Sequence, residues 1–506
     1  MFSLIDWLVI VLYFLIVAGI GVYFSRRNAN FSDFMFGGGN MPWLAVGISL
    51  IATSVSANTF LGFPAESFAN DMRLIMGQVG TLIAIVIVGV VFIPRIRASG
   101  IKSAYQLLEI KFSRPVRVLA AVFYCCHLLL RMGMLIYGPG LVLMKITGAP
   151  YWAAAGSMAV FAMLYTSLGG IKAVTTSDIL QFAIFMGGGL LCIWFCAQGV
   201  GGFAKTWHLA AESGHTRWYD FSWDPASPRN FWNASIIYVV FEVAIRGCDQ
   251  QFVQRYLSTK SVRSANYSSV TSSLLGLLVG LIFYTAGAFI FVYFKVAHVA
   301  ELPSDLTVNQ VLPHFIVNVL PTGIKGLLVA AILAADMGAL SSVLTALSNT
   351  TVIDFLGGGK TPAGAAAAEG SAAAIAKDAH NLGSARIWVV LWSLLGLGAS
   401  FICRLGNDSI LSKALFFTSL FTGPLLSMFV QAYFFPRTHP KAVIAGTFMG
   451  MLILLPFTSI PMIPPELWKP IKVLAWQWNP VVSFLGSLVS SQLINLFLRK
   501  PARAIA

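Results

Sequence analysis

Long apolar stretches recur from one end of this chain to the other, and their length limits the fold more than any other feature. A helix crossing a hydrocarbon core of about 30 Å needs about 20 residues. Thirteen stretches meet that need: 4–24, 41–68, 75–97, 116–146, 150–168, 177–200, 232–256, 265–295, 323–355, 384–404, 408–435, 441–462 and 476–498. Only 10% of the residues are charged, against about 25% in a soluble domain. With a mean hydropathy of +0.79, the chain cannot clothe a water-soluble core. The fold class expected is all-α integral membrane with about thirteen spans. The first stretch has no basic residue before it and no small-residue cleavage site, so it reads as a retained span and not a leader peptide.

The net charge is +14, which in a soluble protein suggests nucleic acid. Its distribution excludes that reading. About 20 of the 33 Lys and Arg fall in alternate connections, among them Arg26, Arg97, Lys172, Arg255, Arg437 and Arg503. That is the excess of basic residues expected on the cytoplasmic face. The odd span count then leaves the N-terminus outside and the C-terminus in the cytoplasm, in a cell inner (plasma) membrane. Of the connections, 201–231 carries Trp218, Trp223, Pro225 and Pro228 and is expected to form an external cap, while 357–383 is a Gly/Ala-rich linker. The six cysteines all lie in apolar runs without metal-ligand spacing, so neither zinc nor a disulfide framework is expected.

Polar residues at bilayer depth carry the functional signal. The second stretch has the centre Ala52-Thr53-Ser54-Val55-Ser56-Ala57-Asn58-Thr59. Small, hydroxyl-bearing and β-branched residues in a run suit an uninterrupted helix poorly. Unwinding there would free carbonyls for a cation, though a small-residue packing face accounts for the same run. The seventh stretch echoes it, with Glu242, Arg246, Gly247, Asp249 and Gln250 mid-segment. If 41–200 and 232–435 are two inverted five-helix repeats, these two are equivalent first helices, and paired broken helices point to a solute site. Glu242 and Arg246 are also four apart, as a structural ion pair would be.

Arg131 lies inside the fourth stretch, away from the basic residues at its ends. Its planar fork suits a solute carboxylate, or an internal partner such as Glu242 or Glu66. In the ninth stretch, small residues at 335, 338, 339 and 342 share a face, and Ser341 and Ser342 offer hydroxyl oxygens to a hard cation. Asp178 offers a carboxylate, or caps a helix opened by Thr176-Ser177.

At these residues the chain resembles the solute:sodium symporter family, which has the leucine-transporter-type inverted-repeat fold. The resemblance rests on 41–64, 165–182, 249–261, 330–355 and 422–435, with GGIKAV and QRYL as the most specific motifs. In motif it is similar to the bacterial sialic acid transporters within that family. The resemblance implies Ser54, Ser56, Thr59, Gln78 and Arg131 in the solute pocket. It implies a sodium site on carbonyls of Ala52, Val55 and Ala335, and a second on Asp178, Ser341 and Ser342. One departure stands out: the two hydroxyl ligands of the common site are replaced by Gly338 and Ala339. Asp336 lies close in sequence and is a possible proton site; Asn58, Glu242 and Arg246 complete the candidate solute set.

The function expected is secondary active symport, one or two sodium ions driving uptake of a small, carboxylate-bearing solute such as a sialic or sugar acid. A proton symporter using Asp336 and a solute sensor on the same fold are the alternatives. No HExxH, GxSxG or clustered His/Asp pattern points to an enzyme. The whole of 1–506 reads as one transporter domain: an extra first span at 4–24, the two repeats, and two C-terminal spans within 441–498. The partners expected are the solute and the bilayer, without nucleic acid, and a monomer suffices for transport.

Overall fold

The structure, a computed structural model, describes residues 3–26, 30–304, 306–357, 372–403, 410–458, 471 and 473–498, without the side chains of 58, 145–146, 372–377 and 410–415. Most of the linker expected at 357–383, and Arg503, lie outside the described residues.

Within them the chain is helical, with one isolated bridge pairing Met41 and Thr259. The order is α1 Leu4–Ser25, α2 Phe31–Phe36, α3 Trp43–Ser54, α4 Ala57–Ala69, α5 Gly77–Ile87, α6 Ile93–Ala98, α7 Gln106–Lys111, α8 Arg114–Thr147, α9 Tyr151–Val200 and α10 Phe203–Glu212. There follow α11 Tyr238–Cys248, α12 Gln250–Ser258, α13 Val262–Phe291, α14 Val311–Asn318, α15 Ile324–Thr350, α16 Ala372–Ile402, α17 Ile410–Phe434, α18 Pro440–Leu454 and α19 Trp478–Phe497. A π-helical turn joins α5 to α6, so Arg73–Ala98 runs as one span.

Among the described residues, nine helices are long and apolar enough to cross a membrane, and the bent pair Trp43–Ser54 with Thr59–Ala69 makes a tenth. The rest of the expected stretches also fall on helix. Residues 232–258 are divided at Asp249 into shorter helices and carry Glu242, Arg246, Asp249 and Arg255. Residues 150–168 and 177–200 were expected as two helices with a turn between them. Within α9 they lie on two helices that meet at a kink at Gly170 (φ 59°, ψ −161°), in keeping with that expectation. At 1.5 Å per residue, 50 residues would run about 75 Å, more than twice the hydrocarbon core, so a break is required. Gly170 is the residue that permits it: a Cβ there would stand 2.6 Å from the Phe34 carbonyl oxygen.

The core is organised around α15. Every residue from Leu328 to Thr350 is buried, and the helix packs against α9, α8, α1 and α16. Its small residues let these neighbours approach closely. The apolar flanks of α1, α18 and α19 face outward, as lipid-facing surfaces should.

Candidate functional site

Two helical segments break within their length. After α3 stops at Ser54, Val55 (φ −86°, ψ 140°) and Ser56 (φ −147°, ψ 178°) are extended, and α4 starts at Ala57 with a bend of 62° between the two halves. The break releases the carbonyls at the end of α3 from the i→i+4 ladder and leaves the first N–H groups of α4 in search of acceptors. Ser56 and Thr59 form a capping box on α4, and the Ala57 N–H donates to Asp336 Oδ1 at 2.9 Å. The second break is at Asp249 (φ −77°, ψ 128°), between α11 and α12. Asp249 caps α12 through the Gln251 N–H and accepts from the Tyr124 hydroxyl at 2.7 Å.

A cavity of about 320 Å³ lies between these breaks. It is lined by Ser54, Thr59, Gln78, Arg131, Glu242 and Arg246, six of the residues singled out for the solute. Ser56 lies outside the lining, taken up by the α4 cap, and the side chain of Asn58 lies outside the described residues.

Arg131 donates from Nη2 to the Thr53 carbonyl at 3.0 Å. The carboxylates considered as its partners are engaged elsewhere: Glu66 pairs with Arg229 at 2.7 Å and Glu242 with Arg246 at 2.6 Å. The Glu242–Arg246 pair spans one turn of α11, and the Arg246 guanidinium also lies over the Phe252 ring. These two line the cavity as a compensated pair, whereas Arg131, among the described residues, makes no ion pair. His127, one turn before Arg131 on α8, lines the same cavity; its ring is buried and Nε2 has no partner among the described residues. Sequence reasoning passed over His127, although its four-residue spacing from Arg131 was available as a signal.

Asp178, Ser341 and Ser342 meet in the core, but not alone. Asp178 Oδ2 accepts from the Ser49 hydroxyl at 2.5 Å and from Arg255 Nη2 at 3.3 Å. Arg255 Nη2 also donates to Ser342 Oγ at 2.6 Å, and that oxygen lies 3.2 Å from Thr53 Oγ1. Ser341 bonds the Gly338 carbonyl. The expected cation set therefore already holds a guanidinium. Counting Arg255 among the cytoplasmic basic residues is corrected: it is 2% exposed, and its charge is balanced by Asp178. Asp178 is mid-helix in α9, so it does not cap a helix start.

A second, much smaller cavity, about 10 Å³, sits beside the first break. Ala52, Val55, Ala334, Ala335 and Gly338 line it, with Gln181, Phe182 and Phe185 from α9, and its exposed walls are apolar. Three of these are the positions where a backbone carbonyl was expected to hold sodium. Asp336, 2% exposed, faces the start of α4 and is absent from this lining.

At one end of the bundle, the segment after α10 folds back over the start of the third span. The Met72 N–H donates to the Arg217 carbonyl, Arg73 pairs with Asp220 at 2.6 Å, and Arg229 with Glu66. At the other end, Arg117 joins Asp354 at 2.7 Å and Glu109, and Lys172 pairs with Asp33 at 2.9 Å. Ion pairs therefore lie at both ends of the bundle.

Comparison with known proteins gives the same picture. The model of the sodium:solute symporter family matches residues 34–453. The sodium/sialic acid symporter SiaT of Proteus mirabilis is 27% identical over 463 residues, covering 90% of this chain and 89% of that one. The human sodium-coupled monocarboxylate transporter 2 is 29% identical over 361 residues, 70% of this chain; the match spans 58% of the human protein's length. Among solved structures, the substrate-bound outward-open state of a Na+-coupled sialic acid symporter superposes with a TM-score of 0.85 at 24% identity, over 100% of both chains. That likeness establishes the fold.

Proposed function

The chain belongs to the sodium:solute symporter family, transporters and not enzymes, and from that premise we propose that it takes up a small carboxylate-bearing solute, a sialic or sugar acid or a monocarboxylate, together with sodium. One observation carries the choice of solute class: Arg131 lines the 320 Å³ cavity with one hydrogen bond to the Thr53 carbonyl and no carboxylate partner among the described residues. A guanidinium at bilayer depth is costly unless an anion compensates it, and its fork matches a carboxylate in two parallel hydrogen bonds. Ser54, Thr59 and Gln78 add hydroxyl and amide groups for a polyhydroxylated remainder. The relatives that transport sialic acid and monocarboxylates by their names agree with this reading.

In this mechanism sodium binds at the first break and fixes the angle between α3 and α4, and the solute then draws the two broken helices together. Opening to the other side follows once the ion-pair latch at that end releases. Sodium and solute each raise the other's affinity, by the same factor. Asp336, bonded to the start of α4, is the group that a proton-coupled variant of the mechanism would use.

The reading extends to topology. Thirteen spans are assigned, with the N-terminus outside and the C-terminus in the cytoplasm, in two inverted repeats over 41–200 and 232–435. A single copy in the plasma membrane suffices for transport, with the solute and the lipid as its partners. The test is uptake into proteoliposomes across a panel of sugar acids, monocarboxylates and amino acids, with sodium and proton gradients imposed separately. Uptake of a neutral sugar in preference to every carboxylate would refute the solute class.

A further inference from the structure

The Glu242–Arg246 pair stands in the wall of the large cavity, and stability does not explain its being there. Arg246 Nε donates to Glu242 Oε2 at 2.6 Å across one turn of α11, just ahead of the break at Asp249. A buried ion pair is costly to desolvate, and apolar side chains of like volume often serve a fold as well or better. An apolar wall would close this side of the cavity at no loss. The pair also keeps some open surface: Glu242 retains 11% of its side-chain surface and Arg246 6%, and both line the cavity.

Neither partner is used up. A carboxylate has about four lone-pair sites; Arg246 takes one, and the Tyr238 hydroxyl, one turn earlier on α11, faces the same group. A guanidinium has five N–H donors; one goes to Glu242 and one, at 3.4 Å, to Ser272 Oγ. Spare acceptors therefore stand beside spare donors in one stretch of wall. A hydroxyl both donates and accepts, so two hydroxyls on neighbouring carbons fit here, one donating to Glu242 while the other accepts from Arg246. A second carboxylate is repelled by Glu242, and an ammonium by Arg246. Arg131 reaches the same cavity from α8, so a solute that meets both points carries its hydroxyls away from its carboxylate. At about 320 Å³ the cavity lies at the lower end of the roughly 300–1,000 Å³ of sites for drug-sized ligands. A three-carbon acid would leave most of it to water.

We propose that Glu242 and Arg246 form a second recognition point of the solute site, reading a vicinal pair of hydroxyls, so that the solute is a polyhydroxylated acid and not a short monocarboxylate. Arg131 selects the charge and the α11 pair selects the hydroxyls. Because the pair is neutral as a unit, it adds hydrogen bonds without changing the net charge that the cavity accepts. Its place on the half-helix before Asp249 means that a solute held there engages α11 as well as α8. The inference rests on the carboxylate reading above, and its test keeps the two apart.

The test is equilibrium binding to purified protein in detergent at saturating sodium. The probes are N-acetylneuraminate and gluconate, which carry hydroxyls, and hexanoate and propionate, which do not. Wild type should bind one or both polyhydroxy acids at least about tenfold more tightly than either hydroxyl-free acid, as a hydrogen bond to a charged group supplies. The double variant Glu242→Leu with Arg246→Met strands no charge. It should weaken the polyhydroxy acids by about tenfold or more and leave the hydroxyl-free acids, held by Arg131 alone, within about threefold of wild type. The double variant Glu242→Gln with Arg246→Gln replaces charge-assisted bonds by weaker neutral ones. It should narrow the preference in the same direction by a smaller factor, which keeps the test decisive if the apolar pair folds poorly. Equal weakening of both kinds of acid, or polyhydroxy acids bound as tightly by the apolar variant as by wild type, would overturn the inference and leave the carboxylate reading intact. So would hydroxyl-free acids bound by wild type as tightly as the polyhydroxy acids. Gluconate bound no better than gluconamide would overturn the carboxylate reading, and this inference with it.

Discussion

Replacing Arg131 by lysine separates its charge from its geometry. The guanidinium has five N–H donors. One is spent on the Thr53 carbonyl at 3.0 Å, which braces the end of α3 beside the break; the fork is otherwise open to the cavity. A lysine ammonium keeps the positive charge and can still bond the Thr53 carbonyl, but it cannot offer two parallel N–H groups to a carboxylate. Loss of one bidentate charge-assisted contact costs about 1.5–3 kcal/mol, or roughly 10–150-fold in Kd. The assay is solute binding to purified protein in saturating sodium, using a carboxylate solute and its carboxamide analogue. Wild type should prefer the carboxylate; Arg131→Lys should lose that preference mainly by binding the carboxylate more weakly, with the carboxamide little changed. Carboxylate affinity equal to wild type would refute the assignment. Equal weakening of both ligands would also refute it, because that pattern marks Arg131 as a brace for Thr53 and no more.

Uptake driven by a sodium gradient at fixed pH should be abolished in Asp178→Asn and survive in Asp336→Asn, whose amide oxygen can still accept from the Ala57 N–H; uptake indifferent to sodium, driven by pH and lost in Asp336→Asn would establish a proton symporter. Glu242→Gln strands the Arg246 charge, and thermal stability should fall by an amount near the lower end of the roughly 3–5 kcal/mol seen for broken buried pairs. Replacing both partners by apolar residues should restore much of that loss; if the double variant is less stable than the single, the pair is not a self-compensating unit. A reporter near Ser213 should be external and one after Arg503 cytoplasmic, and finding both on one side would refute the thirteen-span topology.

The spans were legible because membrane thickness writes itself into the sequence as a length. The first break was legible for a similarly local reason: Thr53 to Thr59 is a run of poor helix formers, and α3 ends within it. The break at Asp249 could be placed only to a segment, by analogy between halves. What the sequence did not disclose is convergence between helices. Arg255 looked like one more cytoplasmic basic residue, yet it reaches Ser49, Asp178 and Ser342, which lie 206, 77 and 87 positions away. Gln181 lies in an apolar run, yet its amide donates to the hydroxyl of Tyr13, 168 residues earlier. The connection inside α9 lies at Gly170, just ahead of the polar Lys172 and Thr175–Asp178 run, where the second helix has already begun.

If sodium and solute bind as proposed, the segment from Thr53 to Ala57 lets the two sites share one free energy. Its carbonyl at 53 accepts from Arg131, its residue 55 lines both the smaller and the larger cavity, and its N–H at 57 is held by Asp336. Five residues with extended backbone at their centre therefore carry contacts to α8, α15 and the space between α3 and α9. In the proposed mechanism a cation on the carbonyls of 52 and 55 would also fix where Ser54 and Thr59 stand in the larger cavity, because the same short run connects them. Conversely, a carboxylate that draws Arg131 inward pulls on the carbonyl next to the cation's own ligands. Neither ligand needs to touch the other; each restricts the φ and ψ of the same few residues. The ordering cost met by the first to bind is then smaller for the second, which is the physical content of coupled binding. A continuous helix at 53–57 would remove that shared element, since its carbonyls would be bound within the helix and neither site would have its ligands.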